Sequence, residues 1–339
     1  MANLVTISYS QLQNEKEVNC LFPILEKAFG RGSDCLGALI VSDLPTHYSQ
    51  LRSRLLSYST WLNNLPEDQL MALERKEAYY VVGYSRGKEA FATLDDLKGS
   101  FYANPVHEFA EGDGFPEYTT PNVWPLEELL PGFREAFVQL GQFVVDVGAL
   151  VARACDAYVT SKVPHYPQQY LQNMVKASST TKARLLHYFS PRPDARDPAE
   201  DDWCGEHLDH SCLTGLTSAM FASEPSSPFN PSNIDIEEFE ASPDPLAGLY
   251  IRDRAGRTTK VSIPRDCLAF QTGEALQVAT NGWLRATPHY VRGCRPSLAR
   301  NTVRNTLAVF MQPGLNEKIG AYDGDFAQFA NEILQKNVA

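Results

Sequence analysis

From Arg184 onward the chain carries short apolar runs of strand type, broken every few residues by Gly, Pro, Asp or Asn. The runs lie near 184–189, 213–220, 248–252, 260–263, 267–271, 284–289 and 303–311. Each has strand length and draws on the β-branched and aromatic residues that suit a pleated surface. Asp253-Arg254-Ala255-Gly256, between two of them, reads as a hairpin turn. Strands at such short intervals favour a sandwich or jelly roll over a βαβ sheet, in which long crossovers separate the strands.

The preceding part reads mainly as helix. Val18, Leu21, Ile24, Leu25 and Phe29 recur at helical spacing up to Gly30. The run 36–41 is of strand type, and Pro45 opens a second helix through Leu51, Leu55, Leu56 and Trp61. The longest helical pattern, 132–159, repeats Phe133, Phe137, Leu140, Val144, Val147, Val151 and Cys155 at threes and fours, as a buried support helix does. Gly83-Tyr84-Ser85-Arg86-Gly87 reads as a loop, and a last helix is expected near 326–335. The stretch 223–245 is rich in Pro, Ser and acids and reads as a surface excursion. One domain is expected over 1–339: a mostly helical region 1–180, a jelly-roll core 181–315 and a C-terminal helix 316–339.

Charge and cysteine usage remove several classes of function. The net charge is −11 and no basic run occurs, which disfavours a nucleic-acid partner, since phosphate backbones call for clustered Lys and Arg. No run approaches the roughly 18 apolar residues of a membrane span, because Asp146 interrupts the longest candidate, so no membrane partner is expected. The N-terminus lacks the charged and apolar regions of a secretory signal. Seven scattered cysteines without a CxxC pair fit a reducing compartment, the cytoplasm by default. A monomer acting on a small molecule is the expectation.

Common catalytic motifs are missing: no GxSxG elbow, no GxxxxGK[ST] loop and no GxGxxG turn. Metal chemistry is what the residues offer. In Gly205-Glu206-His207-Leu208-Asp209, His207 and Asp209 stand two apart, which on a strand puts both on one face about 6 to 7 Å apart at the backbone. One nitrogen and one oxygen leave a divalent ion unsaturated, so a third ligand must come from elsewhere in the chain. Two imidazoles and one carboxylate on a single face leave adjacent positions open, as non-haem Fe(II) oxygenases require.

Longer segments carry a resemblance. GEHLDHSCLTGL, with LAFQTGEALQVATNGWLRATPHYV downstream, resembles the 2-oxoglutarate-dependent, isopenicillin-N-synthase-like Fe(II) oxygenase family. Gly273-Glu274 stands where the family's Gly-Asp is usual. RLLHYFSP, from Arg184, is similar to the family's Arg-Leu-Asn-Tyr-Tyr-Pro strand, with His187 in the Asn place. NVWP at 122–125 and LPGFR at 130–134 resemble the entry to its support helix.

The resemblance implies a double-stranded β-helix (jelly roll) with N-terminal, supporting and C-terminal helices. It implies Fe(II) held by His207, Asp209 and His289, with 2-oxoglutarate as cosubstrate and O2 as oxidant. Arg304 and Thr306 match the family's Arg-x-Ser strand, which receives the distal carboxylate, and Tyr188 becomes a candidate contact for cosubstrate or substrate. Arg300-Asn301-Thr302 repeats the letters of Arg304-Asn305-Thr306, and the spacing from Thr306 through Phe310 to Pro313 favours the second copy. The implied reaction is oxidation of a small organic molecule, most commonly hydroxylation, with release of succinate and CO2. Three alternatives remain at this point: an oxidase of the same family that uses no 2-oxoglutarate, a catalytically silent jelly-roll binding module, and a zinc hydrolase. The excursion at 223–245 reads either as a lid over the metal or as an inert ornament.

Overall fold

The computed structural model describes residues 4–338 except 89, 92, 95–96, 111–113 and 192–203. The part before the support helix contributes β1 (Val5–Ser8), β2 (Ala38–Ser42), β3 (Gly83–Arg86), β4 (Ala90–Phe91), β5 (Thr93–Leu94) and β6 (Lys98–Ala103). The remainder contributes β7 (Lys182–Tyr188), β8 (Cys204–His207), β9 (Leu213–Thr217), β10 (Met220–Ser223), β11 (Gly248–Arg252) and β12 (Thr258–Lys260). The last three strands are β13 (Leu268–Thr272), β14 (His289–Arg292) and β15 (Thr302–Met311). A large sheet runs β1-β2-β13-β9-β15-β7-β6-β3, with β10 also pairing with β15. A small sheet runs β12-β11-β14-β8, and β4 pairs with β5. The two main sheets form a jelly roll.

The ten residues of β15 explain how the layers are sorted. Side chains alternate across a strand. Val303, Leu307, Val309 and Met311 join the core beneath the helices, whereas Arg304, Thr306, Ala308 and Phe310 face a cavity on the opposite side. Asn305, fully buried on the helix side, donates to Leu56 O and Thr60 Oγ1, both at 2.8 Å, and its Oδ1 meets His187 Nδ1 at 2.7 Å. That network ties the helix His47–Asn63 to two neighbouring strands.

The support helix is Phe133–Thr160. It packs so tightly on β9 that a Cβ at Gly215 would stand 2.3 Å from Val144 Cγ1, so only glycine fits there. By length and mean hydropathy this helix could cross a bilayer, contrary to the reading that no stretch approaches that limit. The interruption is real but local: Asp146 sits on the helix's exposed side, and most of the apolar stretch is buried inside the fold.

Other sequence expectations shift. The N-terminal region is less helical than its periodicity suggests, since β1, β2, β3 and β6 all extend the large sheet. Residues 83–86, read as a loop, form the edge strand β3, too short for its alternation to register in sequence. The strand expected at 284–289 begins only at His289. Pro23 lies in the first turn of the helix Phe22–Phe29, so the pattern read as one helix is broken into separate segments.

Candidate metal centre

His207 is the last residue of β8 and His289 the first of β14, and the antiparallel pairing sets them directly opposite each other. Their rings lie 4.3 Å apart. Asp209, just past the strand, brings Oδ1 to 3.7 Å from His207 Nε2 and 3.8 Å from His289 Nε2. One ligand atom from each residue falls within 4.8 Å of the others. These separations are too long for hydrogen bonds and leave room for an ion between the three atoms. Among the described residues this is the group of His, Cys, Asp and Glu able to hold a metal.

Local structure fixes the carboxylate. The Asp209 carbonyl accepts from Glu274 N at 2.8 Å, and a Cβ at Gly273 would stand 2.9 Å from that oxygen and 2.1 Å from Ser211 O. The Gly273-Glu274 pair therefore closes the chain over the Asp209 turn. His210 faces elsewhere, with Nδ1 2.7 Å from Glu274 Oε2, and is not part of the cluster.

The two imidazoles differ electrostatically. Burial alone would lower the pKa of His207, but the Cys204 sulfur beside it and the Asp209 carboxylate outweigh that and hold it at about 9. Burial pushes His289 down to about 4 against the pull of Asp209. An incoming cation must therefore displace a proton from His207, which makes its binding pH-dependent.

A cavity of about 410 Å³ extends from this cluster between the sheets. Arg304, Thr306 and Tyr188 all line it. The Arg304 guanidinium, buried, lies over the Tyr188 ring at 4.8 Å. Thr306 Oγ1 is 3.4 Å from both Thr217 O and Thr217 Oγ1. The twin motif is resolved by position: Arg300 is exposed before β15 begins, whereas Arg304 points into the cavity. The structure thus brings all six sequence-predicted residues to one cavity.

Two further residues escaped the sequence reading. Lys260, from β12, lines the same cavity on the small sheet. Gln271, almost fully buried on β13, places its amide 2.6 Å from His289 Nδ1. A polar residue inside the apolar run 267–271 was the available signal for Gln271; Lys260 carried none.

The excursion contributes to the same cavity as the metal cluster. It leaves from β10, where Ser223 pairs with Thr302, and returns into β11, where Gly248 pairs with Arg292. Both attachments lie at the end of the barrel past Arg304, away from His289. There the Arg52 guanidinium, nearly inaccessible to solvent, grips Glu238 at 2.8 and 2.9 Å, and Asp244 accepts two 2.9 Å bonds from the Arg295 side chain. Trp61 Nε1 donates to Ile234 O at 2.8 Å. Phe239, Ala241 and Pro245 form cavity wall. The segment is thus anchored at several points and supplies cavity wall, so it is more than a surface ornament.

The sequence matches no family model and no curated protein. Solved structures share the fold along nearly its whole length. One is a 2OG-Fe(II) oxygenase family protein from Caulobacter crescentus, 19% identical, with a TM-score of 0.72 over 99% of this chain and 100% of that one. Another is a full-length Neurospora crassa protein in complex with alpha-KG and thymine, 17% identical, with a TM-score of 0.68 over 98% and 96% of the two chains. A dioxygenase for auxin oxidation in rice is 15% identical, with a TM-score of 0.62 over 98% and 96%. At these identities the likeness establishes the fold.

Proposed function

We propose that this chain is an Fe(II)- and 2-oxoglutarate-dependent oxygenase that hydroxylates a small organic molecule. One observation carries the reading: a single cavity holds two imidazoles and a carboxylate converging at one point, and a buried guanidinium beside a threonine hydroxyl at another. His207, Asp209 and His289 are the donor set that suits ferrous iron with open positions. The Arg304 fork suits a carboxylate, to which Thr306 adds one hydrogen bond. Lys260 adds positive charge from the facing sheet. When bound, the iron and the 2-oxo acid supply the oxidising power: one atom of O2 enters succinate as CO2 leaves, and the other converts R–H to R–OH.

The chain's own part is binding, orientation and exclusion of water. Arg304 and Thr306 hold the cosubstrate by its far end, so that its 2-oxo acid end is presented to the cluster. Leu186, Leu216, Phe221 and Val291 give the cavity apolar walls, in which charge-assisted bonds strengthen. Support also comes from the alpha-KG in the Neurospora crassa structure and the family of the Caulobacter crescentus protein. The thymine in the former, a small ligand, accords with a cavity of about 410 Å³ and a net charge of −11.

The test is uncoupled turnover. Purified protein given Fe(II), ascorbate and 1-labelled 2-oxoglutarate should release labelled CO2 and equimolar succinate, and the His289→Ala variant should release none. Oxygen consumption with no 2-oxoglutarate present, and no succinate formed, would overturn the reading in favour of an oxidase.

A further inference from the structure

The second ring nitrogen of each histidine in the cluster is held in a different way. His207 Nδ1 lies 2.7 Å from Gly205 O, which can only accept. Nδ1 therefore keeps a proton in either charge state, and Nε2, facing Asp209, is the nitrogen whose proton an incoming cation displaces. His289 Nδ1 instead meets the side-chain amide of Gln271 at 2.6 Å. The amide's NH2 faces the ring and lies 3.3 Å from Thr287 O. With the NH2 against Nδ1 the ring would hold its proton on Nε2; a carbonyl in that place, or the Thr287 carbonyl beside the ring, would instead take Nδ1–H and free Nε2 for a cation.

With the NH2 against the ring, Gln271 Oε1 is left buried without a hydrogen-bond partner. Such an orphan costs about 1–3 kcal/mol. A half-turn of the amide exchanges its oxygen and nitrogen with almost no displacement of heavy atoms. After the turn the carbonyl accepts Nδ1–H, and the His289 Nε2 lone pair faces Asp209 Oδ1, 3.8 Å away. The ligand-competent tautomer and the turned amide favour each other, with the Thr287 carbonyl as the other acceptor beside the ring.

We propose that Gln271 is the positioning residue of the metal centre, its side-chain carbonyl accepting Nδ1–H and so selecting the His289 tautomer whose Nε2 is free for a divalent cation. The proposal rests on the metal-centre reading above. Gln271 touches neither cosubstrate nor substrate in this account and acts only through His289. Partners of a ligating histidine's second nitrogen typically change metal affinity 10- to 100-fold.

Co(II) titration of the metal-free full chain, read by visible absorbance and calorimetry, tests this independently of turnover. Gln271→Met should weaken Co(II) binding about 10- to 100-fold. Gln271→Glu, a permanent acceptor, should restore at least the wild-type affinity. His289→Ala is the control that separates the two claims. If it leaves Co(II) affinity intact, the metal centre itself is misassigned. If it abolishes binding while Gln271→Met keeps the wild-type value, Gln271 alone is refuted, and the Thr287 carbonyl, which also faces His289, sets the tautomer. Should Gln271→Met fail to fold, NMR of the Zn(II)-loaded wild type decides: a coupling across the hydrogen bond from His289 Nδ1–H to the Gln271 side-chain carbonyl supports the proposal, and one to the Thr287 carbonyl overturns it.

Discussion

Replacing Arg304 by Met removes the proposed grip on the cosubstrate while keeping the volume of an unbranched side chain. Arg304 is only 6% exposed, so solvent does not screen its charge. Removing one partner of a buried ion pair costs about 3 to 5 kcal/mol, because the remaining charge is left unpaired. That corresponds to roughly a hundred- to several-thousand-fold loss of affinity. Arg300, exposed outside the cavity, is the internal comparison; an exposed charge of that kind is worth about 0 to 1 kcal/mol. The assay is the apparent KM for 2-oxoglutarate in uncoupled decarboxylation, with Co(II) affinity measured alongside. Arg304→Met should raise KM by the stated factor and leave metal affinity within about twofold, since Arg304 is not a ligand. Thr306→Val should act in the same direction more weakly, by about 1 kcal/mol. A wild-type KM in Arg304→Met, or an equal effect in Arg300→Met, would refute the reasoning.

Three other expectations follow from named contacts. His207→Ala and Asp209→Ala should each abolish turnover with far-ultraviolet circular dichroism unchanged, whereas His210→Ala, which lies outside the cluster, should keep its metal. Burial holds His187 at about 4, below its ordinary 6.5, so the unfolded chain takes up the proton first and the stability this group contributes is lost as pH falls through that window. Between pH 7 and 5 the loss should be about 2 kcal/mol in urea titrations, and His187→Asn should flatten the slope by that amount. Glu238→Ala leaves the buried Arg52 without its carboxylate and should cost about 3 kcal/mol, seen as a lower urea midpoint at unchanged m value; no change would mean that this pair does not anchor the excursion.

Much of the site was legible because its parts are local in sequence. His207 and Asp209 stand two apart at a strand end and Arg304 and Thr306 on one strand face, so spacing shows that each pair can act together, while the resemblance singled them out. His289 needed the resemblance, since the cross-strand pairing that sets it opposite His207 is a tertiary fact. The strand 302–311 was legible from its length and alternation. The edge strand at 83–86 was not, because four residues with a glycine at one end hold too little pattern. The destination of the excursion was also hidden. Its composition says surface, but the pairings Arg52–Glu238 and Arg295–Asp244 that anchor it join residues 186 and 51 positions apart. Gln271 was visible as a polar residue in an apolar run, yet its role depends on a ring 18 positions away.

The most direct test of the central claim is anaerobic addition of Fe(II) and then 2-oxoglutarate to the metal-free protein, followed in the visible spectrum. The account predicts a weak charge-transfer band that appears only when both are present. The band should vanish in His289→Ala and require far more 2-oxoglutarate in Arg304→Met. A protein that binds Fe(II) but gives no band at saturating 2-oxoglutarate would contradict the claim that this cavity holds the metal and the 2-oxo acid together.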